Sequence, residues 1–105
     1  MRIIAGYVKL TFLFRQEQGR VVGVCEELGT SAYGDNLKDA IKAIKDLVVL
    51  HLNALESTGQ RAKFFREHNI PLHRTKPKPK RIPIPPSSKK YDTFSVDIQP
   101  VHANV

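Results

Sequence analysis

At 105 residues and 41% apolar content, the chain has material for one domain with one core and too little for two. Its single cysteine, Cys25, excludes an internal disulfide framework, and no apolar run is long enough for a membrane span. The net charge of +7 invites a nucleic-acid reading until it is located. Arg74, Lys76, Lys78, Lys80, Arg81, Lys89 and Lys90 lie in one stretch without acids, and the ten basic and ten acidic residues elsewhere cancel.

Met1 to Gly6 is only briefly apolar and runs straight into a strand pattern, so it does not read as a signal peptide. Together with the lone cysteine, this predicts a cytoplasmic protein with no membrane partner. Residues 7 to 15 alternate, with Val8, Leu10, Phe12 and Phe14 on one face and Tyr7, Lys9, Thr11, Leu13 and Arg15 on the other. That is a half-buried strand with a mixed second face. Gln16-Glu17-Gln18-Gly19 forms a turn, and the β-branched run Arg20 to Cys25 predicts a second strand. Leu28-Gly29 turns again before a short third strand, Thr30 to Tyr33, ending at Gly34.

Gly34-Asp35-Asn36-Leu37-Lys38-Asp39-Ala40 reads as a helix start. Asn36 can accept from N–H groups of the first turn, and Asp39 supplies a capping acid and charge favourable to the helix dipole. Leu37, Ala40, Ile41, Ile44, Leu47, Val48, His51, Leu52 and Leu55 then recur at helical spacing, while Lys38, Lys42 and Lys45 fall outside the stripe. The helix is predicted over Leu37 to Ser57, with Gly59 suited to the left-handed position beyond its end. A short second helix over Gln60 to His68 offers Ala62, Phe64 and Phe65 as apolar contacts.

Residues 71 to 90 hold six of the seven prolines along with the basic cluster, which predicts an extended linker. Tyr91 to Ile98 alternates again, with Phe94, Val96 and Ile98 expected inward and Thr93, Ser95 and Asp97 outward. The expected architecture is a single α+β domain over residues 1 to 105. It has a three-stranded antiparallel sheet, a fourth strand returning over 91 to 99, and one long and one short helix packed on one sheet face.

The hairpin at Glu17-Gln18-Gly19, the run Val24-Cys25-Glu26-Glu27-Leu28-Gly29 and the helix start Gly34 to Ala40 together resemble the HicB-like antitoxin family. The resemblance covers about residues 7 to 70, with a looser match at 91 to 99. It implies a truncated RNase-H-like fold that acts in a toxin–antitoxin system by covering a small RNA-cleaving toxin of the HicA type. Asn36 stands where the family's helix start usually has threonine, Lys38 replaces one of its acids, and the turn lacks the usual prolines. Many relatives carry a C-terminal DNA-binding module, and the seven residues after Ile98 are too few for one, so operator binding by that route is not expected.

An RNase-H-like fold raises the question of nuclease chemistry, which needs several converging carboxylates to hold metal ions. The first strand carries no acid between Arg2 and Phe14, Glu26 and Glu27 sit at a turn, and capping accounts for Asp35 and Asp39. No catalytic, metal or cofactor residues are therefore assigned, and the chain is not expected to be an enzyme. His51 reads as a structural residue of the helix stripe, His68 and His73 as chance neighbours, and Cys25 as a small buried apolar group.

Two surfaces remain. If the helices cover Val8 to Phe14, then Tyr7, Leu13 and Val21 lie open among Lys9, Thr11 and Arg15, a composition suited to a second copy of the chain or to a toxin. The small core makes a homo-oligomer, dimeric or higher, the expected state. The second surface is the segment Arg74, Lys76, Lys78, Lys80, Arg81, Lys89 and Lys90. It is either a solvated spacer or a strap for nucleic acid, and no aromatic residue interleaves its lysines for base stacking.

Overall fold

The computed structural model describes residues 2–77 and 93–104. It is an α+β fold with the element order β1 (Arg2–Glu17), β2 (Arg20–Cys25), β3 (Ser31–Gly34), α1 (Leu37–Ser57), α2 (Arg61–Glu67) and β4 (Thr93–Asn104). The four strands form one antiparallel sheet in the order β3-β2-β1-β4. β1 is longer than the alternation over 7 to 15 predicts, and β4 runs on to Asn104. The positions of Tyr91 and of Lys78 to Lys90 in the expected strand and linker lie outside the described residues.

Each joint follows from local chemistry. The β1–β2 turn places Gln18 and Gly19 at φ of 51° and 79°, the left-handed pair of a tight hairpin. Asn36 caps α1, its Oδ1 accepting from the Asp39 backbone N–H at 2.8 Å and its Nδ2 donating to Asp39 Oδ2 at 3.3 Å. The acid thus answers the side-chain amide of the cap, whereas a capping box would have it reach the backbone N–H. After α2, the chain returns to β1, where Tyr7 and His73 exchange backbone hydrogen bonds of 2.7 and 2.8 Å. Gly6 permits this approach, since a Cβ there would lie 2.7 Å from the His73 carbonyl oxygen.

Both helices contribute to a core on one sheet face. Ala40, Ile44, Val48 and Leu52 of α1 and Phe65 of α2 pack with Val8, Leu10, Phe12, Phe14, Val21, Cys25 and Val101. The α1 stripe is buried along its centre only, for Leu37 is exposed and Ile41, Leu47, His51 and Leu55 are half-buried. Phe64 flanks the core, with the His68 ring stacked 4.0 Å from it and His51 edge-on at 5.5 Å. Arg61 and Glu56 form a mostly buried ion pair at 2.6 Å that ties the start of α2 to the end of α1.

The register of β4 reverses the orientation expected for its side chains. Leu13 pairs with Phe94, Thr11 with Val96 and Lys9 with Ile98, so these apolar residues lie on the face opposite the helices. Thr93, Ser95 and Asp97 share the helix-side face with Phe14, Phe12 and Leu10. Residue alternation defines two faces but does not say which one meets the helices, and a shift of one residue exchanges them. Val101, paired with Gly6, is the β4 residue that enters the helix-side core.

Candidate protein-binding face

The sheet face away from the described helices is built from alternate residues of all four strands. β1 supplies Tyr7, Lys9, Thr11, Leu13 and Arg15, and β4 adds Phe94, Val96, Ile98 and Pro100 through direct pairing. On β2 the residues opposite Arg15 and Leu13 are Val22 and Val24, and on β3 Tyr33 and Ser31 pair with these in turn. Five of the six residues expected on this face are therefore brought together. Val21 is the exception, because it pairs with Gln16 and lies in the helix-side core. The run Val21-Val22-Gly23-Val24 has no polar residue to mark its phase, so an expectation from composition selects the wrong valine.

The centre of the face is buried and its rim is partly exposed. Leu13 is 0% exposed, and Thr11 and Val22 are also buried. Around them Tyr7, Lys9, Arg15, Val24, Val96 and Ile98 are half-buried, while Phe94 and Tyr33 are 37% and 57% exposed. Arg15 pairs with Glu17 at 2.8 Å, which partly neutralises one corner. The surface this face leaves accessible is therefore its margin, where Phe94 and Tyr33 stand exposed beside the half-buried Val24, Val96 and Ile98, whereas Leu13, expected to lie open, is fully covered.

Glu27 holds one margin of this face in place. The Thr11 backbone N–H donates to Glu27 Oε1 at 2.6 Å, its hydroxyl donates to Oε2 at 2.9 Å, and the Glu26 N–H donates to the Thr11 carbonyl at 2.9 Å. The carboxylate thus extends the β1–β2 ladder past Cys25, the last residue of β2. Sequence reasoning places Glu27 only in a turn. The available signal is that β1 continues where β2 ends, which leaves the Thr11 N–H in need of an acceptor.

Among the described residues, the remaining titratable groups form no reactive cluster. Cys25 is buried and free, and burial pushes its thiol up to about 12 from 9.0, with the nearby Glu27 charge adding in the same direction. Among the described residues, no three His, Cys, Asp or Glu side chains stand close enough to hold a metal ion. No described helix is long and apolar enough to cross a membrane. Of the basic segment, Arg74 and Lys76 are exposed, and Lys78, Lys80, Arg81, Lys89 and Lys90 lie outside the described residues. No family model, curated protein or solved structure matches the chain.

Proposed function

We propose that the chain is a non-catalytic binding module of the HicB-like antitoxin kind, which covers a small RNA-cleaving toxin and blocks access of RNA to it. The observation that supports this reading is the sheet face away from the described helices, where Phe94 and Tyr33 stand 37% and 57% exposed. These two rings and the half-buried Val24, Val96 and Ile98 leave apolar area that a partner can bury without rearranging the core. A basic toxin would be repelled by the segment 74 to 90, so contact falls to the electrically balanced remainder of the chain.

Co-expression with a small RNA-cleaving toxin encoded beside it tests the reading. The expected result is restored growth and a complex that co-purifies, both lost on Val24→Asp or Phe94→Asp substitution. No complex and no rescue would sink the proposal.

A rival reading has the charge concentrated over residues 74 to 90 bind nucleic acid. It predicts binding that weakens steeply with salt and survives both sheet-face substitutions.

A further inference from the structure

The outer edge of β4 has a hydrogen-bonding phase that the pairings on β1 determine. Tyr7 exchanges its backbone hydrogen bonds with His73, and the Thr11 N–H and C=O meet Glu27 and Glu26. Odd-numbered residues of this part of β1 therefore turn their backbone groups away from β4. Even-numbered residues turn theirs toward it, which makes Phe14–Thr93, Phe12–Ser95, Leu10–Asp97 and Val8–Gln99 the hydrogen-bonded pairs. Phe94, Val96 and Ile98 then direct both N–H and C=O to the outer edge. Pro100 has the same phase but offers a carbonyl alone. No described strand pairs with this edge.

We propose that two copies of this chain join through this edge, β4 against β4 in antiparallel sense, with Val96 on the two-fold axis. In that register Phe94 of one copy faces Ile98 of the other, and each of Phe94, Val96 and Ile98 donates one backbone hydrogen bond and accepts one. The Phe94 ring, 37% exposed in the single chain, gains an aliphatic neighbour on the helix-free face.

Charge and proline select this register over those centred farther along β4. With Val96 central, Asp97 faces Ser95 of the other copy. Placing the axis at Asp97 would set two carboxylates directly opposite in the closer, non-hydrogen-bonded type of pair. It would also put Pro100 opposite Phe94, leaving a carbonyl without its donor. An axis at Ile98 has the same fault, with Pro100 opposite Val96. With the axis at Val96, Pro100 falls beyond the paired span Thr93 to Gln99, so its missing N–H interrupts none of it. The edge is thus self-complementary over Phe94 to Ile98 and blocked beyond it.

The inference needs no toxin and stands or falls apart from the occlusion reading. Sedimentation of the full chain alone at tens of micromolar should give twice the 11.9 kDa of one copy, and a single-chain mass at every concentration would overturn it. Oxidation of Val96→Cys in a Cys25→Ala background should give a disulfide-linked dimer, because residues paired on the axis have Cα atoms about 5.5 Å apart. Asp97→Cys in the same background should cross-link at least tenfold less, since its copies lie diagonally apart. Equal or reversed yields would overturn the register. Ile98→Pro removes an edge N–H without touching the ladder to β1 and should shift the chain to single-copy mass. A dimer unaffected by it would overturn the edge, and if that variant fails to fold, the cysteine pair decides alone.

Discussion

Glu27 takes both hydrogens that Thr11 offers, the backbone N–H at 2.6 Å and the hydroxyl at 2.9 Å. Thr11 sits at the buried centre of the helix-free face, so an unmet donor there is not readily rescued by water. Glu27→Ala should cost about 2 kcal/mol by leaving the amide orphaned, whereas Thr11→Val, which keeps the amide bond, should cost about 1 kcal/mol. Urea denaturation at neutral pH reads both. Equal losses would mean that the hydroxyl carries the interaction.

Gly34 closes β3 directly against the start of α1, and a Cβ on it would lie 2.2 Å from the Ala40 nitrogen and 2.6 Å from the Asp39 carbonyl carbon. Both atoms belong to the backbone of a capped helix and cannot turn aside. Gly34→Ala should therefore destabilise by about 3 kcal/mol or more, at the upper end for overpacking. Gly59, at φ of 73° with open space around its Cβ position, provides the contrast. Gly59→Ala should cost about 1 kcal/mol through backbone strain alone. Thermal unfolding of the two variants separates close approach from conformational freedom.

Cys25 carries a prediction about pH. Its thiol is pushed up to about 12 in the folded chain against 9.0 in the open one. The unfolded chain therefore releases this proton first, and between about pH 9 and pH 12 it binds fewer protons than the native state. Stability should fall with rising pH in that window, by up to about 1.4 kcal/mol for each pH unit from this group alone. Comparison with Cys25→Ala isolates the contribution, because the variant lacks that component of the slope. At neutral pH the native thiol should resist alkylation and react only on unfolding.

The basic segment separates the two readings of function. On the occlusion reading, replacing Lys76, Lys78, Lys80 and Arg81 with alanine should leave capture of a toxin partner intact or tighten it, because the contact falls on the sheet face and four repelling charges are gone. If nucleic acid is the partner, the same replacement should flatten the salt dependence by about 3–4 units of slope. Binding assays at two salt concentrations distinguish the outcomes.

Much of the fold is legible along the chain because it depends on neighbours in sequence. The helix over Leu37 to Ser57 begins where Asn36 can cap it and ends before Gly59, and the hairpin turns at Gln18-Gly19. The strands β1 and β2, the short α2 and a returning β4 follow from alternation and from prolines. These features need only local periodicity, caps and turn chemistry.

What pairing decides could not be read in the same way. Whether Val21 or Val22 joins Leu13, and whether Phe94 or Thr93 meets the helices, depends on register, and register is a relation between residues up to about a hundred positions apart. The role of Glu27 likewise appears only once β1 outruns β2, and that of Pro100 only once β4 lies at the sheet edge. The sequence alone determined which segments become helix or strand, apart from the ends of β1 and β4, and that all of the excess charge sits in one stretch. Tertiary structure decided which apolar residues form the core and which remain on the open face, because a strand has two faces and only its partners choose between them.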